Sequence, residues 1–159
     1  MNDKLKKSAE KVQEALIEKG VDFKVIELKA STRTAKEAAE AVGAKLGQIA
    51  KSLVFMGEVS QSPLLVIASG KNRVNLDKIE PFMNEPLKMA DPDFVREVTG
   101  FVIGGVPPIG HKIPIKTVID KDLLKYDEIW AAAGTPHSLF RLEPIALERL
   151  TGGIIAPVV

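Results

Sequence analysis

The chain has 159 residues with 22 basic against 21 acidic side chains, a formal charge of +1; it is 45% hydrophobic and contains no cysteine. That length fits one domain, residues 1–159, around one substantial core. Near-neutrality excludes the phosphate-neutralising surface of a general nucleic-acid binder, and the missing thiol excludes disulfides, thiolate catalysis and cysteine metal sites.

The N-terminal stretch MNDKLKKSAEKVQEALIEKG mixes both charge signs. Leu5, Ala9, Val12 and Leu16 keep helical spacing, Asn2 or Asp3 can cap the start, and Gly20 can end it. It has the pattern of an amphipathic helix, not of a signal peptide, and no run approaches the length needed to span a bilayer, so a cytoplasmic protein without a membrane partner is expected. FKVIEL follows as a strand. Thr34 and Glu37 have capping-box spacing for a helix over AKEAAEAV, which Gly43 terminates. KSLVFM and PLLVIAS, separated by GEVSQS, form a hairpin. A short helix starts near Asn75 and is limited by Pro81.

LKMA is another strand candidate. In DPDFVREVTG, Asp91 can cap, Pro92 suits the first helical position, and Gly100 suits the exit. FVIGGV, KTVID, EIWAAAG and SLFRLE are further strands, and Pro144 opens a late helix over PIALERL. Strands outnumber helices, and neighbouring strands are often too close for helical crossovers. The expected fold is therefore α/β of the α+β type: a mixed, strongly curved, barrel-like sheet surrounded by helices.

Familiar chemical motifs are missing. There is no GxxxxGK[ST] run, and GGVPPIG lacks GxGxxG spacing, while its prolines block the helix start that a dinucleotide site requires. His111 and His137 stand far apart, and a metal would need them to converge with a carboxylate such as Asp120, so neither a metal nor a cofactor is expected. No GxSxG nucleophile elbow is present.

A three-part constellation remains. Lys51 stands at the entrance of an apolar strand, in GQIAKSLVF. Most such lysines are simply solvated, but a rigid strand can also aim a point charge at an anionic group. Next, the run TGFVIGGVPPIGH ends an apolar segment in glycine and proline. It is either a tight corner or a shaped wall, in which Gly104 and Gly105 expose backbone N–H groups and Pro107 and Pro108 hold that backbone still. In AAAGTPHSLFRL, small residues leave room, and Gly134, Thr135 and His137 occupy a turn.

Together, IAKSLVF, TGFVIGGVPPIGHKIPIKTVID and AGTPHSLFRLEP resemble the YbaK/ProX family, free-standing relatives of the editing domain inserted in some bacterial prolyl-tRNA synthetases. The resemblance runs from the first helix through LERLTG. It implies a barrel-like mixed sheet and hydrolysis in trans of wrongly charged tRNA, such as Cys-, Ala- or Ser-tRNA(Pro). It implies Lys51 as the catalytic side chain. Gly104, Gly105, Val106, Pro107, Pro108, Gly134, Thr135, His137 and Thr34 are the substrate-binding set. The partner would be the aminoacyl-tRNA acceptor end, with a prolyl-tRNA synthetase or an elongation factor as a helper and the protein itself a monomer or weak homodimer. Where some relatives carry a small hydroxyl residue before the last proline of the loop, this chain has Pro107, which removes one hydroxyl and one backbone donor.

The chemistry explains the missing triad. An aminoacyl ester is already activated, so positioning a water and stabilising the oxyanion suffice. Lys71, Arg73 and Lys78, with His111, Lys112 and Lys116, could form a local basic rim for the acceptor end. Two other classes fit the same residues: a non-catalytic module that binds an aminoacyl or nucleotide-like ligand, and a hydrolase of small esters or thioesters.

Overall fold

The computed structural model describes residues 6–159. The expected cap at Asn2 or Asp3 and the first apolar position, Leu5, lie outside the described residues. Helix α1 (Lys7–Glu18) buries Ala9, Val12 and Leu16 on one face, as their spacing requires. A short strand β1 (Val25–Glu27) is what remains of FKVIEL. Helix α2 (Ala35–Val42) has the expected capping box from Thr34 and Glu37 and stops at Gly43, whose φ of 69° places it in the left-handed region.

Strands β2 (Ile49–Gly57) and β3 (Pro63–Ser69) form the expected hairpin, and β3 is buried along nearly its whole length. Asn75 caps the single turn of α3 (Leu76–Ile79), and Pro81 lies in the 3-10 turn Glu80–Phe82 that follows. Strand β4 (Leu87–Met89) leads into α4 (Pro92–Thr99), with Asp91 as its cap, Pro92 first and Gly100 as its exit at φ 82°. Strands β5 (Lys116–Asp120), β6 (Ile129–Ala132) and β7 (Ser138–Leu142) complete the expected set.

The strands make one eight-stranded mixed sheet in the order β1-β7-β6-β2-β3-β5-β8, with β4 on β2 outside that path. Here β8 is Ile154–Ala156, a short parallel partner for β5 that follows α5 (Ala146–Thr151). The pairs β2–β3, β2–β4, β1–β7 and β6–β7 are antiparallel, whereas β2–β6 and β3–β5 are parallel. The mixed, curled sheet with helices around it is the architecture expected from the sequence. Its largest apolar cluster gathers α1, one face of β2 and β3, α4 and β6–β7 around Leu65, Ile67, Ile119 and Phe140.

Two expectations need correction. FVIGGV, residues 101–106, is not a strand: left-handed Gly100 turns the chain out of α4, Gly104 sits at φ 91°, and Gly105 closes a turn on Val102. A backbone bent in this way cannot present a ladder. Pro144 does not open the late helix but lies in the turn before it, where its carbonyl accepts from the Leu147 N–H. The strand β8 and the 3-10 turns at Leu46–Gln48 and Lys121–Lys125 carry no periodic signal long enough to be anticipated.

Ile67 is fully buried in the central strand β3. Truncation in Ile67→Ala should destabilise the fold by about 2–5 kcal/mol, measured by equilibrium denaturation. A loss below about 1 kcal/mol would mean that β3 is not the centre of the core.

Candidate functional site

One edge of β2 is paired with β3 from Ala50–Ser69 to Met56–Pro63. The other edge is shared. Ile49 and Ala50 pair with Trp130 and Ala131 of β6, and Phe55 to Gly57 pair with β4. Between them, Lys51 to Val54 pair with neither strand, apart from the Ala90 N–H that donates to the Val54 carbonyl at 3.0 Å. Strand backbones present their polar groups to alternate edges. Ser52, two residues before Val54, therefore faces the gap with its own N–H and C=O. The sheet forks here, and a cavity of about 270 Å³ occupies the fork.

The cavity wall is mostly apolar, with Ala38, Val54, Ala90 and Leu139 among its residues, and Lys51 and Arg33 are its charged members. Lys51 is half-buried. Among the described residues it makes no hydrogen bond and no ion pair. Burial pushes its ammonium below the usual lysine range, and the Asp120 carboxylate acts in the opposite sense. The cation is thus held by the strand and left without a partner of its own.

The loop after α4 forms the facing wall through Gly104 and Val106. Its backbone is clamped from behind. The Gly105 N–H donates to the Val102 carbonyl at 3.0 Å, and the Gly105 carbonyl accepts from the Gly134 N–H at 2.8 Å. A Cβ on Gly105 would stand 3.0 Å from three backbone atoms of Thr135, so any side chain here requires that backbone to shift. A ring nitrogen of His111, Nε2, donates to the Pro107 carbonyl at 2.7 Å and braces the proline segment. Of the loop residues that line the cavity, Ile103, Gly104 and Val106 have N–H groups that donate to no acceptor among the described residues, and these are left for a ligand.

Of the expected site residues, Lys51, Thr34, Gly104 and Val106 line the cavity. Gly105, Gly134 and Thr135 meet behind its wall, and Pro107 and Pro108 are buried beside them. The His137 ring is exposed, with Nδ1 at 3.0 Å from the Ala30 carbonyl. The turn that holds it anchors the segment leading into α2: the Leu28 N–H donates to the His137 carbonyl and the Thr32 N–H to that of Pro136. Thr34 caps α2 through its hydroxyl, which accepts from the Glu37 N–H at 3.1 Å. None of the six residues expected to form a basic rim lines the cavity. One of them, Lys116, donates to the Phe82 carbonyl at 2.7 Å.

Sequence reasoning missed Thr32, Arg33 and Ser52, which also line the cavity. Thr32 is only 4% exposed. Among the described residues, the Thr32 and Ser52 hydroxyls are the buried side-chain oxygens that lack a hydrogen-bond partner. A lone serine inside the apolar run of β2 was the available signal for Ser52; the loop position of Thr32 offered none.

The profile of the aminoacyl-tRNA editing domain family matches residues 29–150. The chain is 31% identical to the multifunctional Ser/Thr-tRNA deacylase ProXp-y of Escherichia coli K12, over 75% of this chain and 73% of that protein. It is 29% identical to an Enterococcus faecalis protein provisionally named a Cys-tRNA(Pro)/Cys-tRNA(Cys) deacylase, over 79% of this chain and 76% of that one. A crystal structure described, also provisionally, as a trans-editing enzyme for prolyl tRNA synthetase superposes with a TM-score of 0.91 at 54% identity, covering 98% of both chains.

Two predictions follow from the clamp behind the loop. Gly105→Ala should lower the melting temperature and weaken ligand binding in the fork, because its methyl group forces the loop away from Thr135; unchanged thermal denaturation and binding would count against the clamp. For His111, burial lowers the ring pKa below its ordinary value near 6.5, against the raising effect of the Pro107 carbonyl. The folded protein therefore favours the neutral ring, and the unfolded chain takes up the proton first as pH falls. The His111 contribution to stability is full above about pH 6.5 and declines as the pH drops below it, levelling off under the folded-state value. In denaturant titrations, the stability difference between wild type and His111→Gln should shrink across that window; a difference constant from pH 7.5 to 5 would refute it.

Proposed function

Because the chain belongs to the aminoacyl-tRNA editing domain family, we propose that the fork of the sheet holds the aminoacyl group of a mischarged tRNA and that Lys51 and the Gly104–Val106 backbone carry its hydrolysis. The protein is an aminoacyl-tRNA deacylase. The observation supporting this site is the Lys51 ammonium in an apolar cavity, across from loop N–H groups, those of Gly104 and Val106 among them, none of which has an acceptor among the described residues.

The reaction needs little more. Water adds to the ester carbonyl carbon, the carbonyl oxygen takes up negative charge, and collapse of the tetrahedral intermediate expels the ribose hydroxyl, which recovers a proton. The Gly104 and Val106 N–H groups stabilise that oxyanion, an effect worth roughly 3–4 kcal/mol per donor. Lys51 orients the ester through its carbonyl or the terminal phosphate, and Arg33, exposed at the rim, meets the phosphate backbone. Gly105 is excluded as an oxyanion donor, since its N–H is already given to Val102. No side-chain base is required, because fixing water against an activated ester removes most of the entropic barrier.

The cavity, at about 270 Å³, lies below the usual range for drug-sized ligands and suits a small aminoacyl group with the tRNA body outside. Leaving a buried hydroxyl unpaired costs about 1–3 kcal/mol. A substrate side chain that bonds the Thr32 and Ser52 hydroxyls recovers that cost, whereas alanine cannot. The preferred acyl group is therefore seryl or threonyl. The acceptor end is single-stranded and offers few phosphates, which is compatible with a net charge of +1.

The test is deacylation of tRNA(Pro) carrying serine, threonine, cysteine or alanine. Wild type should act on the hydroxylated residues, and Lys51→Ala should lose roughly 10²–10³-fold in rate while keeping its fold. The double variant Thr32→Val, Ser52→Ala should lose roughly tenfold of its preference for serine over alanine. Undiminished turnover by Lys51→Ala would remove the proposed site, and saturable binding without turnover would identify a binding module instead.

A further inference from the structure

Asp120 lies outside the cavity lining, yet its carboxylate is completely buried, with 0% of the residue exposed. Three donors fix it: the Ser69 N–H at 3.0 Å, the Asn72 amide at 2.8 Å and the Asp122 N–H at 2.9 Å. Three donors set its orientation, and among the described residues no cation pairs with it; the Lys125 ammonium pairs with Asp122 instead, at 3.1 Å.

The sheet register places Asp120 relative to Lys51. Lys51 pairs with Ala68 across the β2–β3 ladder. The β3–β5 ladder pairs Val66 with Val118 and Ile67 with Ile119, so its next step sets Asp120 beside Ala68. Paired residues share a face, and residues two apart on a strand return to it. Lys51, Ala68 and Asp120 thus stand in one row on one face, across three strands. Adjacent strands lie about 4.8 Å apart, so the two outer backbones are roughly 10 Å apart with only a methyl group between them. That is too far for a direct backbone-to-backbone contact and near enough, through low-dielectric core, for a charge to be felt.

We propose that the buried Asp120 carboxylate is the counter-charge through which the sheet keeps the Lys51 ammonium ready for substrate. It acts through Lys51 and touches no substrate, so it is a positioning residue; this role rests on the deacylase reading of the fork. An ion pair would occupy the donors of Lys51 and neutralise it. A carboxylate held one strand further away supports the cation and leaves its three N–H bonds for the ester and phosphate.

The other groups around Lys51 do not supply that support. Arg33, the other charged residue of the cavity, is a cation and opposes it. From the flanking elements, α2 contributes Ala35 and Ala38 to the cavity, β4 Met89 with Ala90 behind it, and β6 Ala132. Lys88 on β4 and Lys121 after β5 are exposed cations, and Asp122 is engaged by Asn72 and Lys125. Burial lowers the Lys51 pKa, and Asp120 is the group that raises it.

The test reads Lys51 directly. Competitive acetylation of lysine amines across pH, quantified by peptide mass spectrometry, gives the titration of Lys51 without any tRNA. In Asp120→Asn, Lys51 should titrate at lower pH than in wild type, and the basic limb of the deacylation profile should move the same way, tenfold in the charged fraction for each unit of displacement. Asp120→Glu, which keeps the charge but disturbs the same hydrogen bonds, should restore the wild-type midpoint; equal shifts in both variants would reduce Asp120 to a structural role. Should Asp120→Asn fail to fold, the carboxyl ¹³C resonance of Asp120 in the wild type should follow the Lys51 titration, and that step should vanish in Lys51→Met. An unmoved Lys51 midpoint, or a carboxyl resonance indifferent to Lys51→Met, would overturn the proposal. A shift in Lys51 without turnover on any aminoacyl-tRNA would instead remove the deacylase reading and leave the coupling standing.

Discussion

The site depends on one irregularity of strand pairing: β2 changes partner along a single edge. Its first residues belong to β6 and its last to β4, and the four residues between them pair with neither. A sheet of eight strands held on both edges of β2 throughout would have filled this space with a ladder. Opening the edge exposes backbone at Ser52 and carries a cost, because unpaired backbone groups away from water are among the least tolerated features of a folded protein. Such a cost persists where a ligand takes the empty positions. The same opening lets Lys51 and Ser52, which point to opposite faces of the strand, border one cavity.

The remaining walls are brought to the fork by contacts that tolerate no side chain. Gly105 rests on the Thr135 backbone, and Gly134 rests on Ser8 of α1, where a Cβ would stand 2.5 Å from the carbonyl oxygen. One chain of contacts therefore runs from α1 through the late turn to the loop after α4. The same turn, through the His137 and Pro136 carbonyls, fastens the segment that carries Thr32 and Arg33. Rigid backbone positioned by glycine contacts and stiffened by Pro107 and Pro108 gives preorganised N–H donors, which lose no energy to reorganisation when charge develops on a substrate.

How much of this was legible in the sequence follows from the range of each interaction. Local devices were visible: the Thr34–Glu37 capping box, the Asp91–Pro92 helix start, the glycine exits and the β2–β3 hairpin each depend on residues a few positions apart. Lys51 and the glycine-proline loop also stood out, because their residue types are poorly suited to a core strand, and the structure brings Lys51, Gly104 and Val106 to one cavity. The fork was not legible, because the parallel pairing of Ile49 with Trp130 joins residues far apart in the chain, and no local pattern records it. FVIGGV deceived because three apolar residues serve equally as a strand or as the packed entry to a loop; Phe101 is buried while Val102 and Ile103 are exposed. Thr32 reaches the cavity only through the turn that pins it.

The division of labour between charge and backbone also bears on how such a site can change its substrate. In the proposed site Lys51 and the loop N–H groups are assigned to the ester and phosphate, which every aminoacyl-tRNA shares, and Thr32 and Ser52, which line the same cavity, to the acyl side chain. On that assignment, substitution at these two hydroxyl positions would alter selectivity and leave the backbone donors in place. Alanine or valine there would give an apolar pocket, and an apolar pocket separates neighbouring acyl groups by only about 1–3 kcal/mol per methylene. A pocket built around buried hydroxyls discriminates more steeply, since a substrate lacking the matching group leaves them unpaired. On this proposal the fold keeps its reaction on rigid backbone and its specificity on two side-chain hydroxyls.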